Sequence, residues 1–203
     1  MLVLSQKIVN HASVKQLIEH APEKFLDLVK QAANSTVRKM SRSVGGLTVE
    51  EWNIPEFRTA FDEAPPKVLP AKAGDVHPVA ALVISGGMNT VFKLSSHTRN
   101  IEGKGVSAMV FGKQYTFKDA FVAQMKSGHR GIFERYEDKE GKPGKYGNQK
   151  IRELYTISFP QMVEDTKKDR IPPILAKAAQ ANFEKKFLKD CDAYLKEYKA
   201  QFN

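Results

Sequence analysis

The sequence has little cysteine and no recognisable cluster of metal ligands. Cys191 is the only cysteine among 203 residues, which excludes an intrachain disulfide and a zinc site built from several cysteines. The five histidines are scattered, without the HExxH or HxH spacing of metal sites. The lack of a second cysteine favours a reducing compartment. Because no cluster of ligands is recognisable, we predict neither a metal nor another cofactor.

Long apolar runs are also missing. No window approaches the roughly 20 apolar residues that a membrane-spanning helix needs. In the opening stretch MLVLSQKIVN, Lys7 interrupts the apolar residues before a signal-peptide core could form. We therefore expect a soluble protein that is made in a cytoplasm and has no membrane partner.

Motifs that carry catalysis are absent as well. The run Ile84-Ser-Gly-Gly-Met88 lacks the third glycine and the Lys-Ser/Thr pair of nucleotide-binding loops, and no helix follows Gly103-Lys-Gly105 to bind a phosphate. Carboxylates such as Glu134 and Asp138 lie beside cations, which is typical of a solvated surface. No catalytic residue can be named, and we predict that the protein is not an enzyme.

Positive charge is abundant instead. There are 32 lysines and arginines against 23 acidic residues, a formal net charge of +9. Such a protein is attracted at low salt to DNA, RNA or an acidic protein surface. Hydrophobic residues make up 41% of the chain, which is enough to bury a core.

Helical periodicity dominates the first third of the chain. Apolar residues recur at three- and four-residue steps from Pro22, and Gly45-Gly46 is predicted to end this helix. A second helix is predicted from Thr48, which forms a capping box with Glu51, to Ile54-Pro55, and a third over 57–61. This helical pair is acidic, unlike a DNA-reading helix-turn-helix.

Extended segments are predicted in the middle of the chain. An irregular connection covers 64–78, and Gly112-Lys113 is predicted as a two-residue hairpin turn. A short helix is predicted over 119–127, between an Asp119 N-cap and Gly128, and a long hairpin loop over 137–150. The predicted strands are Val79–Ile84, Thr90–Leu94, Ser107–Phe111, Gln114–Phe117, Ile132–Tyr136 and Ile151–Ser158.

Helical periodicity returns at Ser158-Phe-Pro160. It is interrupted at Ile171-Pro-Pro173 and then continues to the end of the chain as a long helix. Cys191 lies on the apolar stripe of that helix, which favours a buried thiol. The predicted fold class is α+β, with an N-terminal helix and a short helical pair, a central, mostly antiparallel β-sheet with hairpins, and a long C-terminal helix. The predicted regions are 1–63 (helical), 64–159 (β-sheet core) and 160–203 (helical), forming one structural domain overall.

Residues 106–195 resemble the phage minor tail protein Z family, the tail-completion proteins. The resemblance rests on the hairpin MVFGKQYTF (109–117), the block DAFVAQMKSG (119–128) and the strand GIFERY (131–136). The segment 151–160 follows, and then the sequence Arg170-Ile-Pro172, which leads into the terminal helix. The order and spacing of all these segments match those expected of the family. The segment 95–105 departs from the family, because a strongly basic loop is expected there and only Arg99 and Lys104 are cationic.

The resemblance implies a structural virion protein of a tailed bacteriophage, with an α+β fold. It would form a homo-oligomeric ring of about six copies at the head-proximal end of the tail. This ring, in the neck of the virion, would help to complete the tail and join it to the head. Implied partners are tail tube or terminator proteins, head-tail connector proteins and, non-specifically, the phage DNA in the channel. Assembly would occur in the host cytoplasm.

Two sets of residues are candidates for contacts in such a ring. Cations for the DNA channel or a partner protein are Arg99, Lys104, Lys139, Lys142, Lys145 and Lys150. Side chains for a subunit interface are Phe121, Val122, Met125, Phe183, Phe187 and Tyr194.

Two other classes of function stay open from the sequence. A basic DNA- or RNA-binding protein outside any virion would be a monomer or dimer with steeply salt-dependent affinity. An enzyme of unrecognised type would have a deep pocket with converging polar groups, whereas a ring subunit would expose apolar side chains in the isolated protomer.

Overall fold

The computed structural model describes residues 11–54, 65–72, 75, 77–136, 150–164 and 170–201. Their architecture is α+β, as predicted. The chain divides into two compact units, with boundaries that differ from those of the three predicted regions. We call residues 1–45, 66–83 and 169–203 the helical unit, and residues 46–65 and 84–168 the sheet unit.

Three helices form most of the helical unit. They are α1 (Ala12–His20), the first part of α2 (Pro22–Trp52) and α5 (Ile171–Gln201). The long terminal helix is therefore confirmed. The core of the helical unit combines Val14 and Leu17 of α1, Leu28, Ala32 and Ala33 of α2, and Phe183, Phe187 and Cys191 of α5.

Phe187 is the central side chain of this core. It is fully buried, with the ring of Phe25 5.7 Å away edge-on and that of Phe183 stacked at 5.6 Å. Burying an aromatic ring of this size contributes roughly 2–3 kcal/mol. The nearby Cys191 is buried too, as predicted, and burial raises the pKa of its thiol to about 12.

The predicted break at Gly45-Gly46 is wrong. Helix α2 continues through both glycines to Trp52, so no separate helix with a capping box begins at Thr48. Thr48 is instead fully buried inside the helix, as is Val44 one turn earlier. Packing of these side chains offsets the roughly 1 kcal/mol that a glycine costs inside a helix. The predicted helix 57–61 lies outside the described residues.

A short strand in the stretch 64–78, which was predicted to be irregular, pairs with a strand that lies within the predicted strand Val79–Ile84. Strand β1 (Lys67–Leu69) pairs antiparallel with β2 (Ala81–Val83). The side chain of Asn34 in α2 holds the adjoining segment, because its Nδ2 donates to the carbonyl of Ala71 at 3.3 Å and its Oδ1 accepts from the Ala71 N–H at 2.8 Å. One amide thus satisfies both backbone groups of a residue outside regular structure.

The described strands of the sheet unit form three antiparallel sheets rather than one central sheet. Their orders are β3 with β10, β4-β5-β6 and β7-β8-β9. The strands are β3 (Met88–Thr90), β4 (Ser95–Ile101), β5 (Gly105–Val110), β6 (Lys113–Phe117), β7 (Ala120–Gln124), β8 (Arg130–Tyr136), β9 (Lys150–Glu153) and β10 (Tyr155–Ser158).

The predicted hairpin between β5 and β6 is present, with its turn one residue earlier than expected. Val110 pairs with Lys113, so the two turn residues are Phe111 and Gly112. Both have positive φ, 53° and 71°. Positive φ at both positions is the geometry of a type I′ turn, whose twist matches that of the strands.

The predicted helix 119–127 is wrong. Residues Ala120–Gln124 form β7, which pairs along its whole length with β8. Asp119 is not an N-cap but a turn residue with φ 58°, and Gly128, with φ 85°, lies in the β7–β8 turn. A segment this short is marginal as a helix, whereas β8 offers its backbone a continuous ladder of hydrogen bonds.

Two further strand predictions need correction. Thr90 is the last residue of β3, and its hydroxyl caps the short helix α3 (Val91–Leu94) by accepting from the Lys93 N–H at 3.2 Å. The predicted strand Ile151–Ser158 is divided at Leu154 into β9 and β10. Leu154 donates to the Ile132 carbonyl and accepts from the Val91 N–H, each at 2.9 Å.

Helix α4 (Phe159–Val163) begins where it was predicted. Ser158 and Gln161 form a reciprocal capping box at its N-terminus. Phe159, Met162 and Val163 are buried, so even this single turn contributes to the core of the sheet unit.

Replacing Gly105 by Ala should lower the free energy of unfolding by about 3 kcal/mol or more. Its φ is +96°, and an added Cβ would lie 2.0 Å from the Phe117 carbonyl oxygen. Gly103→Ala is the matched control, because its φ is +67° but the added Cβ would meet open space, so it should cost only about 1 kcal/mol. Urea unfolding followed by circular dichroism compares the two variants, and equal costs would contradict the packing described here.

Candidate functional site: surfaces and edges of the sheet unit

Arg99 lies on the polar face of the β4-β5-β6 sheet. Cross-strand partners point to the same face, and Arg99 is level with Ser107 and Thr116 in the three strands. On the same face, Gln114 Nε2 donates to Ser107 Oγ at 2.9 Å, next to the exposed thioether of Met109. Arg99, Ser107, Met109 and Gln114 line an open groove of about 760 Å³.

The other predicted cations are placed as follows. Lys104 is exposed in the β4–β5 turn, whose backbone it closes by donating its N–H to the Ile101 carbonyl at 3.0 Å. Lys150 is half-buried at the start of β9, opposite Tyr136. Lys139, Lys142 and Lys145 lie outside the described residues.

A second groove, of about 710 Å³, lies beside the β4–β5 turn. Phe121 and Arg135 line it, and the guanidinium carbon of Arg135 is 5.2 Å from the centre of the Phe121 ring. The carboxylates of Glu102 and Asp119 also line the groove. It is an open surface with mixed charge, unlike the deep pocket that a typical enzyme site forms.

Arginine–aromatic contacts recur on the β7-β8-β9 sheet. Arg152 lies 5.5 Å from the Tyr136 ring and also pairs through Nε with Glu134, and Arg130 lies 5.4 Å from the Phe92 ring. Together with Arg135 on Phe121, three arginines of one small sheet pack over rings. Such contacts typically contribute about 0.5–1 kcal/mol at exposed sites.

A histidine–glutamate pair that the sequence analysis missed joins the β7–β8 turn to β9. His129 Nε2 lies 2.9 Å from both carboxylate oxygens of Glu153, and the Tyr155 hydroxyl donates to the same carboxylate at 3.4 Å. Gly131 leaves room for it, because a Cβ there would lie 2.4 Å from Glu153 Oε1. These contacts join the β7–β8 turn to β9 and β10, so we interpret them as stabilising the fold.

The predicted interface residues fall into three environments. Phe121 and Val122 are half-buried on opposite faces of β7, and the Val122 N–H donates to Asn100 Oδ1 at 3.1 Å. Met125 is half-buried in the β7–β8 turn, where its N–H donates to the His129 carbonyl at 2.7 Å. None of the three lies on a helix, contrary to the prediction.

The remaining interface candidates belong to the helical unit. Phe183 and Phe187 are buried in its core and offer little surface to another subunit, which corrects their selection as contacts. Tyr194 is half-buried on α5, with Lys24 Nζ 5.3 Å from its ring. It lines an apolar cavity of about 230 Å³ with Leu17 and Leu195.

Most of the described strands have one edge without a neighbouring strand. Only β5 and β8 have a neighbouring strand on both sides, so eight of the ten described strands are edge strands. Several carry large exposed apolar side chains, of which Met88 on β3 is 61% exposed and Tyr155 on β10 is 54% exposed. Tyr115 on β6 and Ile151 on β9 are also exposed. Edges and apolar groups of this kind are typical binding surfaces.

Within the ranges described, no group of three or more His, Cys, Asp or Glu residues could hold a metal ion. None of the helices in the described part of the chain is long and apolar enough to cross a membrane. The chain matched no protein-family model, no curated protein and no solved structure.

Gly131→Ala should destabilise the protein by about 1–2 kcal/mol, because the new methyl group collides with the Glu153 carboxylate and touches the Phe133 ring at 3.1 Å. In a Glu153→Ala background the same change should cost at least about 1 kcal/mol less. A double-mutant cycle measured by thermal and urea unfolding tests this coupling. Identical costs in both backgrounds would show that Glu153 does not occupy the space above Gly131.

Proposed function

We propose that this chain is a structural subunit of a tailed bacteriophage, a minor tail or tail-completion protein. In this proposal, copies form a ring at the head-proximal end of the tail and help to join tail to head. The observation that carries it is the set of open strand edges with exposed apolar side chains. The resemblance of residues 106–195 to the tail-completion family also supports the proposal.

The physical reasoning concerns the size of the sheets. A two-stranded sheet is marginal in water, and natural proteins usually cover or pair an exposed edge. Here the described sheets have two or three strands each, and apolar side chains on them face solvent. Contacts with neighbouring subunits would pair or cover these groups, which favours an assembly role over catalysis in a free monomer.

The proposed partners are further copies of the chain, tail tube or terminator proteins and head-tail connector proteins. Phage DNA would pass through the ring and be contacted non-specifically through its phosphates. Arg99 and Lys104, both exposed, are the described candidates for that contact, with Lys150 a half-buried third. In this proposal the protein resides in the neck of the virion.

Light scattering at moderate salt, with and without purified tail-tube protein, tests the assembly proposal. We expect a discrete particle of about six copies, either alone or bound to tube ends, because a closed rotational ring has a fixed stoichiometry. Tubes of an unrelated phage serve as the control and should not bind. A monomer that leaves tubes unbound at all concentrations would contradict the proposal.

A nucleic-acid-binding protein outside the virion is the second candidate. The formal net charge of +9 favours it. In the sheet unit, residues 46–54 carry two carboxylates and no cation, and residues 84–136 and 150–164 carry ten lysines and arginines against five carboxylates. Two of those carboxylates, Glu134 and Glu153, are already paired. The arginine–aromatic surface could also support stacking with bases.

Neutralising Arg99 and Lys104 together, as R99Q/K104Q, tests whether these two side chains bind phosphates directly or only contribute to the overall net charge. The nucleic-acid candidate predicts that the slope of log affinity against log salt falls by roughly two. K177Q/K185Q is the control, because both lysines are exposed on α5 of the helical unit and the net charge changes equally. Equal effects of the two double variants in a fluorescence anisotropy titration would contradict a phosphate site at Arg99 and Lys104.

A further inference from the structure

Strand β6 is the most accessible edge of its sheet. It pairs with β5 on one side, and no described strand lies on the other. Four of its five side chains are exposed, and the fifth, Phe117, is half-buried. Tyr115 is 44% exposed and stacks on Phe117 with a 6.4 Å separation of ring centres.

The hairpin register determines which backbone groups of β6 point outward. Val110 and Lys113 flank a two-residue turn and therefore form a hydrogen-bonded pair. The alternation of an antiparallel ladder then directs the N–H and C=O of Tyr115 and Phe117 towards β5. Those of Gln114 and Thr116 point away from β5, towards the open side.

The hairpin is held in place at its turn. The Phe111 ring packs edge-on against Trp52, with centres 4.9 Å apart, and Asn53 Nδ2 lies so close to Gly112 that an added Cβ would be 2.6 Å from it. The side chain of Gln114 is bonded to Ser107 across the sheet face and so does not cover the edge. The outward groups of β6 are thus presented on an ordered strand.

We propose that β6 pairs antiparallel with β6 of a second copy of this chain, with a two-fold axis beside Tyr115. Gln114 of each copy then lies opposite Thr116 of the other, and their outward groups form four backbone hydrogen bonds. Tyr115 faces its own equivalent as a non-hydrogen-bonded pair. Lys113 lies opposite Phe117 of the other copy, within reach of a cation–π contact.

The charge pattern of β6 favours a second copy in this register. Lys113 is its only charged residue and lies at one end, so two-fold pairing places no like charges opposite each other. A register shift by two residues leaves part of the strand unpaired and places turn residues against it. The register centred on Tyr115 pairs all five residues.

The contact is small. Five paired residues bury less than the roughly 1,000 Å² typical of a stable interface, so association should be weak and depend on concentration. A two-fold contact closes on itself and cannot alone build a ring of more than two subunits. The inference is therefore independent of the proposed function, and either can fail without the other.

Cysteine cross-linking under mild oxidation tests the register in the full chain. Tyr115→Cys should form a disulfide-linked dimer at least about tenfold faster than Gln114→Cys or Thr116→Cys, because non-hydrogen-bonded partners have Cα atoms about 4.5 Å apart. The two control positions lie diagonally from their own equivalents, beyond about 7 Å. The native Cys191 is buried, and the unsubstituted chain oxidised in parallel shows its contribution. Equal rates at 114, 115 and 116 would overturn the proposal.

Sedimentation velocity over a range of concentrations provides a second readout without cysteine. Thr116→Pro removes an outward N–H and should leave the β5–β6 hairpin folded while abolishing the concentration-dependent dimer. Circular dichroism confirms folding, and Lys118→Pro in the following turn is the control that should still dimerise. A wild-type protein that stays monomeric at the highest concentration, or a Thr116→Pro variant that dimerises as strongly, would overturn the proposal.

Discussion

Trp52 connects three parts of the sheet unit. Its indole N–H donates to the Met162 carbonyl at 3.0 Å, and its ring packs against Phe111 in the β5–β6 turn. Phe111 has φ 53°, which costs a non-glycine residue roughly 1–2 kcal/mol, and the aromatic contact offsets part of that cost. The turn, and with it the direction of β5 and β6, therefore depends on a side chain at the end of α2.

Short-range signals were sufficient to predict much of this fold. The β5–β6 hairpin, the start of a helix at Ser158-Phe-Pro160 and the long terminal helix with buried Cys191 all follow from local periodicity and turn residues. The predictions of secondary structure failed where contacts with residues distant in sequence determine the conformation. Ala120–Gln124 extends because β8 pairs with it, and α2 continues through Gly45-Gly46 because Val44 and Thr48 are buried.

The surfaces were harder to predict than the elements. Arg99 was predicted as a contact because it is a cation in the segment where the resemblance implies a basic loop. The register of three strands then places it with Ser107 on a polar face. His129 and Glu153 are 24 residues apart, so no motif spacing could indicate their contact. Phe187 was predicted as an interface residue because it lies on the apolar stripe of the terminal helix, but it is buried within the protomer. Periodicity cannot distinguish a side chain that packs inside a protomer from one that contacts another subunit.

Strand edges link the fold to the proposed assembly, since they leave backbone donors and acceptors available to neighbours. Hydrogen exchange followed by mass spectrometry, comparing the isolated chain with the chain assembled on tail tubes, tests this most directly. We expect the edge strands β4, β7 and β9 to gain protection on assembly, while the central strands β5 and β8 are protected in both states. Identical exchange of the edge strands in the two states would contradict the account.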